Sequence, residues 1–354
     1  MKRRTSKIFI SLLTVLLILT ISFVSAFAVE SGSCGTNADW TFDPSNGELT
    51  IRGSGSMTSY SSADYAPWKT YTDRITKITI SEGITKIGNY AFKNCTFASE
   101  IVISDGVKEI GYSAFDNCTA LKQVALPASV EKINDAPFYN CTALTNITVD
   151  SDNKNFSSDS NGVLYNKTKT EIIQYPAGKN TANFSVPDTV TDINSAAFAG
   201  NQNIFNIYMS DSVSSIGTMA FYGCTSLSTL TIPENITLIG EMAFSKCDNL
   251  SDIYYTGTQD QWDMIAVRDN NSPLLNATFR YESKGPETLS GDAVTTTVVS
   301  DKSITKQDNF VQNQLKNNID LIPAILVGIA VVVFILVIIL IRVIFKKRPE
   351  KDPD

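Results

Sequence analysis

The 354-residue chain predicts a solenoid, a stack of one supersecondary unit repeated about every 23 residues. Three observations carry this. The segment Gly83–Cys95 returns as Gly106–Cys118, Ser129–Cys141, Ser212–Cys224 and Asn235–Cys247, with a degenerate copy at Thr189–Asn201. Within it, Phe92, Phe115 and Phe138 lie 23 apart, and so do Phe198, Phe221 and Phe244. An apolar pair keeps the same step: Ile78/Ile80, Ile101/Ile103, Val124/Leu126 and Ile147/Val149, then Phe184/Val186, Ile207/Met209, Leu230/Ile232 and Ile253/Tyr255.

Each repeat opens with that pair. Alternation with polar neighbours is the period-two signature of a strand with one face inward. Turn residues follow, such as Ser81-Glu82-Gly83 and Pro127-Ala128-Ser129. A second apolar pair such as Ile84/Ile87 predicts another extended segment, and Ala-Phe-x-x-Cys predicts a helical or 3₁₀ turn. Leu121, Leu144, Leu227 and Leu250 close the unit six residues after the Phe; the first repeat has Ala98 there, beside Phe97.

The flanks must cover the ends of such a stack, because an open end exposes core. Residues 29–72 predict an N-terminal β cap: strands at Trp40–Phe42 and Glu48–Arg52 around the turn Asp43–Gly47, with Trp40 and Trp68 as covering side chains. Gly53–Ser56 reads as the end of the strand pattern. The solenoid is expected over 73–257 and a C-terminal cap over 258–281, with a short helix at Thr258–Val267 carrying Gln261 and Trp262. Between Phe138 and Phe198 the spacing is 60, one period plus 37 residues. The excess, about 150–180, predicts an added rung and a hairpin, Asn161–Tyr165 with Glu171–Tyr175, projecting from the stack.

The ends place the chain at a membrane. Lys2, Arg3, Arg4 and Lys7, the apolar run Ile8–Val24 and Ala26-Phe27-Ala28 form a secretory signal peptide over 1–28. Residues 282–320, rich in Ser, Thr, Asp and Asn, read as a flexible stalk. Leu321–Ile341 is a 21-residue uncharged run, enough to span a bilayer, so a transmembrane helix is expected over 321–345. Arg342, Lys346, Lys347 and Arg348 put the tail, 346–354, on the cytoplasmic side and the repeats outside.

Of the 29 Lys and Arg, 20 lie between these two apolar segments, with 33 of the 36 Asp and Glu, giving that part a net charge of −13. Such a balance disfavours nucleic acid, which demands a basic footprint. Five of the six cysteines (Cys95, Cys118, Cys141, Cys224 and Cys247) share one repeat position, and Cys34 lies outside it. Side chains at equivalent positions of stacked rungs run parallel, which suits a disulfide torsion of about 90° poorly. Buried free thiols acting as small hydrophobes are therefore expected.

The run Val107-Lys108-Glu109-Ile110-Gly111-Tyr112-Ser113-Ala114-Phe115-Asp116-Asn117-Cys118-Thr119-Ala120-Leu121 resembles the BspA-like class of leucine-rich repeats. The resemblance covers about Ile75 to Tyr255. Cys34–Trp68 and Tyr254–Trp262 also resemble flanks of bacterial surface members. It implies a leucine-rich repeat solenoid, right-handed, with a parallel β-sheet on one face. It further implies a cell-surface role, often adhesion to host, matrix or neighbouring cells. The class has no common catalytic residues to transfer.

No catalytic set emerges from the residues. The chain has no histidine, which removes Ser-His-Asp and Cys-His systems and the usual neutral-pH base. No cofactor and no metal ligand set is expected; Asp150-Ser151-Asp152-Asn153 is only a fragment of a calcium loop. The sequons at Asn94, Asn117 and Asn140 belong to the repeat and read as turn residues. Outward strand positions form a ladder, Thr79, Val102, Ala125, Thr148, Ser185, Tyr208, Thr231 and Tyr254. Tyr208, Thr231 and Tyr254 with Asp252 are the candidate ligand contacts, because Tyr is enriched at binding hot spots; shielding of the core near the cap is the alternative. The reading is a non-enzymatic, membrane-anchored extracellular protein that binds a protein or glycan. A structural envelope protein without a host ligand, or an ectoenzyme, are the alternatives.

Overall fold

The computed structural model describes residues 28–285. The expected signal peptide 1–28, apart from its last residue, most of the expected stalk 282–320, the expected transmembrane helix 321–345 and the tail 346–354 lie outside them. No helix among the described residues is long and apolar enough to cross a membrane.

The strands run in chain order as β1 (Glu30–Ser33), β2 (Gly35–Asp43), β3 (Glu48–Met57), β4 (Lys77–Ile80), β5 (Ile84–Ile87), β6 (Glu100–Ile103), β7 (Glu109–Ile110), β8 (Gln123–Leu126), β9 (Lys132–Ile133) and β10 (Asn146–Val149). After these come β11 (Phe156–Ser158), β12 (Leu164–Asn166), β13 (Glu171–Gln174), β14 (Asn183–Ser185), β15 (Asp192–Ile193), β16 (Asn206–Tyr208), β17 (Ser215–Ile216), β18 (Thr229–Ile232), β19 (Leu238–Ile239) and β20 (Asp252–Tyr255). Helix α1 (Gln259–Trp262), β21 (Ala266–Val267), α2 (Ser272–Leu275) and β22 (Thr278–Arg280) complete the series.

The repeat strands pair parallel and in register, each residue opposite its equivalent 23 away: Ile78↔Ile101, Val124↔Ile147, Leu230↔Ile253. The shorter second strands make a parallel ladder of their own, β5-β7-β9 and later β13-β15-β17-β19-β21. The predicted apolar pairs are buried from Ile78 and Ile80 to Ile253 and Tyr255, except Val149 and Phe184, which are half-buried on either side of the inserted rung.

The rings form two stacks. Trp68, Phe92, Phe115 and Phe138 follow one another at 5.4–5.5 Å between centroids, and Tyr175, Phe198, Phe221 and Phe244 at 4.9–5.0 Å. Offset stacking adds to area burial, so each ring is worth more in its column than alone. All six cysteines are free and buried. They are more than fillers. Cys118 Sγ donates to Phe92 O at 3.3 Å, Cys141 to Phe115 O at 3.2 Å, Cys224 to Phe198 O at 3.2 Å and Cys247 to Phe221 O at 3.0 Å. A thiol is a weak donor, and here it gives the carbonyl one rung back a second partner.

Three expectations are corrected. First, Gly53–Ser56 does not end its strand. β3 runs on to Met57 because it pairs with β4 at Glu48–Ile51 and with β5 at Gly55–Ser56, so one strand starts both ladders. Gly53 (φ +110°) lets it turn the corner, and a Cβ there would sit 2.0 Å from Asn37 O. Second, the insertion does not project. Leu164, Tyr165, Ile172, Ile173 and Tyr175 are buried, and β13 joins β15 in the second ladder. Third, the Ala-Phe-x-x-Cys segment is neither α-helix nor 3₁₀-helix but a turn with two left-handed residues, such as Tyr90 (φ 52°) and Asn94 (φ 64°).

Both ends are closed. Trp68 stacks on Phe92, donates from Nε1 to Ala91 O at 3.1 Å and meets Trp40 edge-on at 6.0 Å. At the far end Asn271 stands in for a missing rung. Its Oδ1 accepts from Phe244 N–H at 2.9 Å, and its Nδ2 donates to Gly240 O at 2.8 Å. Helix α1 begins in a capping box formed by Thr258 and Gln261, which buries Trp262 against Tyr255. Asp150–Asn153 is structural too: buried Asn153 donates to Pro127 O and Val130 O and accepts from the amides of Asn155 and Phe156.

Candidate functional site: a cleft where two turn ladders converge

Within each array the Ala-Phe-x-x-Cys turn hands three amides to the turn of the next rung. Tyr90, Phe92 and Asn94 donate to the carbonyls of Tyr112, Ala114 and Asp116 at 2.8–3.0 Å. The same pattern joins Ser113, Phe115 and Asn117 to Asp135, Pro137 and Tyr139, and it resumes from Ala196, Phe198 and Gly200. A left-handed backbone costs most side chains about 1–2 kcal/mol and is visited readily only by Gly and sometimes Asn. That explains Asn94, Asn117 and Asn140 in the first array and Gly200 and Gly223 in the second. The asparagines also bond to each other, Asn117 Nδ2 to Asn94 Oδ1 and Asn140 Nδ2 to Asn117 Oδ1, both at 2.8 Å.

The pattern breaks once. The inserted rung puts Tyr175 in the Phe position, but a short turn closed by Lys179 N–H on Pro176 O at 3.1 Å follows in place of the Ala-Phe-x-x-Cys turn. Among the described residues no carbonyl accepts from the amides of Ala136, Phe138 or Asn140. The two turn ladders instead press on each other directly. Ala136, Ala196 and Ala199 form a small buried cluster, and Tyr139 lies 6.3 Å from Tyr222. A Cβ on Gly200 would be 3.2 Å from Asn140 Oδ1. On the strand side the added chain is kept: β11 and β12 lie against β10, and β11-β12-β13 lead into the second ladder at β15. Extra chain on one side and a shorter turn on the other make a wedge, so the turn faces converge.

A cleft of about 380 Å³ opens on that face. Tyr90, Tyr112, Tyr139, Asp116 and Asp135 line it from the first array. Ser195, Thr218 and Met219 line it from the second. Asp116 is its sunken member, 9% exposed. Burial pushes its carboxyl up, and the Lys93 ammonium 3.4 Å away pulls it back. Lys93 also sits 5.3 Å from the centre of the Tyr90 ring, which meets the Tyr112 ring edge-on at 5.4 Å. Burial raises the Tyr139 phenol to about 12, and Tyr222, Asp116 and Tyr112 reinforce it. These groups surround a carboxylate with phenols. Among the described residues, no cluster of three His, Cys, Asp or Glu could hold a metal ion.

The contact candidates read from the sequence lie elsewhere. Tyr208, Thr231 and Tyr254 are register partners across β16, β18 and β20, and Asp252 is two residues before Tyr254 on the same strand. Thr231 is only 5% exposed, which removes it as a contact. The first stalk residues cover it: a Cβ on Gly285 would lie 3.1 Å from Thr231 Oγ1 and 3.2 Å from Tyr254 Cγ. Glu282 and Ser283 anchor that segment by donating to Gly257 O and Tyr255 O. Asp252 is engaged within the chain by Arg280 at 2.8 Å, whose guanidinium stacks over Tyr254 at 5.6 Å. Tyr208 alone remains half-buried and unengaged by these groups.

The cleft residues were missed because they occupy columns of the repeat that look like scaffold. The signal was present in the 60-residue spacing, together with Tyr112, Asp116 and Tyr139 at turn positions that vary between repeats.

A family model for the BspA-type leucine-rich repeat region matches residues 70–181 and 174–266, with six copies. Among curated proteins, none matches the chain. Of solved structures, a leucine-rich repeat protein from Eubacterium ventriosum is 27% identical over 64% of this chain and 72% of its own, with a TM-score of 0.46. The pneumococcal vaccine antigen PcpA is 16% identical over 73% and 88%, TM-score 0.48. A leucine-rich cell surface protein from Faecalibacterium prausnitzii is 21% identical over 68% and 98%, TM-score 0.28. Matched over more than half its length by that model, the chain belongs to the BspA-type leucine-rich repeat family.

Proposed function

We propose that the chain is an extracellular binding protein, anchored by its C-terminal apolar segment, that attaches its cell to a protein or glycan on a host, a matrix or a neighbouring cell. One observation carries the reading. Residues that recur in every rung are buried in the spine, while several residues that differ between rungs, aromatic and charged, line one cleft. Conserving a spine while varying a concave surface suits recognition. A catalytic reading has less support, because the chain has no histidine to supply the usual neutral-pH base. The anchor rests on Leu321–Ile341 and the basic residues after it, and the export signal on Lys2–Ala28.

The test is a binding screen of cells displaying the chain against matrix proteins, glycan arrays and host and bacterial cells. Saturable capture of one ligand class is the expected result. A screen that finds only binding of the chain to itself would replace adhesion with an envelope scaffold.

A further inference from the structure

We propose that the cleft takes a cationic side chain, an arginine or lysine, presented by a protein partner. This rests on the binding reading above and names the chemistry that the site would recognise.

The site is already a cation cage. Lys93 shows how it works from inside: its ammonium lies 3.4 Å from the Asp116 carboxylate and 5.3 Å from the face of Tyr90. A ring quadrupole attracts a cation, and the attraction grows when both are shielded from water. Further cage groups have no cation of their own. Tyr112 is 40% exposed, and Asp135 on the rim has no ion-pair partner among the described residues. The facing wall of Ser195, Ala196, Thr218 and Met219 is neutral, so nothing there repels an incoming charge. The chain between its two apolar ends is strongly acidic, which draws basic partners from a distance. A neutral saccharide would stack on the tyrosines equally well but would leave the Asp135 carboxylate without a charge partner.

The cage makes a prediction of opposite signs. Removing a carboxylate must weaken a cation, whereas removing the resident Lys93 must strengthen it by freeing Asp116 and lifting like-charge repulsion. The probe is the peptide acetyl-Gly-Arg-Gly-amide, with citrulline in place of arginine as its neutral twin, titrated into the full chain by calorimetry. The arginine peptide should bind with a Kd of about 1 mM and the citrulline peptide at least about tenfold more weakly, as a single desolvated charge contact allows. Asp135→Asn, an exposed change that leaves the spine untouched, should weaken arginine about fivefold. Lys93→Met should tighten it about threefold by the same electrostatics. Unchanged thermal unfolding of Asp135→Asn shows that its effect is on the site. Equal binding of both peptides, no tightening in Lys93→Met, or binding of a neutral oligosaccharide in the cleft would overturn the proposal. If a screened partner binds with the same affinity to Asp135→Asn and Lys93→Met, the cage falls while the binding function stands.

Discussion

The two arrays on either side of the inserted rung are alike inside and different outside. Both carry a ring stack, a thiol-to-carbonyl ladder and the same parallel register. At the left-handed turn position, however, the first array uses Asn94, Asn117 and Asn140, tied side chain to side chain, while the second uses Gly200, Gly223 and Lys246. The constant is a backbone conformation and a buried volume; the residue that supplies the conformation is free to change. A repeat thus separates what folding requires from what the surface can vary.

The sharpest test of the shared spine is its largest residue. Phe115→Ala and Phe221→Ala should each cost about 3–5 kcal/mol in denaturant unfolding, as buried aromatic truncations do. Unequal costs would show that the arrays are not equivalent inside. Closure at the second array comes next. Asn271→Ala strands Phe244 N–H and Gly240 O in a buried site, and should cost about 2–3 kcal/mol. A loss below about 0.5 kcal/mol would mean that something else closes the stack. At the turn position, Asn117→Ala should cost about 1–2 kcal/mol through left-handed strain and the broken amide ladder, and Asn117→Gly less. Gly223→Asn in the other array should be within about 0.5 kcal/mol of neutral, since Asn tolerates that backbone. A large penalty there would contradict the claim that the two arrays solve one problem in two ways.

The smallest effect concerns the covered sheet end. Arg280, and after it Ser251, hold Asp252 below the usual carboxylate range. Its folded pKa is therefore lower than its unfolded pKa, so its contribution is present above about pH 4 and is lost as pH falls through the folded value. Because the pair is largely exposed, solvent screening keeps the effect small. Asp252→Asn should slightly flatten the acid limb of the melting-temperature profile, and an unchanged limb would show that the pair contributes nothing.

What could be read from the sequence was whatever repeats. A period of 23 gave the ring column, the inward strand pairs and the buried cysteines, because every rung restates the same constraint. Departures from the period were harder. Gly53–Ser56 looked like an ending because glycine weakens strands, yet β3 needs glycine to serve two ladders. The hairpin at 150–180 looked like a decoration, but Leu164, Ile172 and Tyr175 face inward. Tyr208, Thr231 and Tyr254 were rightly placed in one row, while the return of Gly285 over Thr231 depends on long-range packing that no local pattern encodes. The cleft arises where one repeat turn is replaced by a shorter one; the 60-residue spacing marks the place, but no motif tells what surface results.

The central claim is that the turn ladder is broken between Phe138 and Phe198 and that the cleft exists because of it. Amide hydrogen exchange on the full chain tests this directly. The amides of Ser113, Phe115 and Asn117 donate to the next rung and should be protected like their neighbours. Those of Ala136 and Asn140, with no acceptor among the described residues, should exchange at least about tenfold faster. Equal protection of the two sets would mean that the ladder continues across the inserted rung, and the account of the cleft would be wrong.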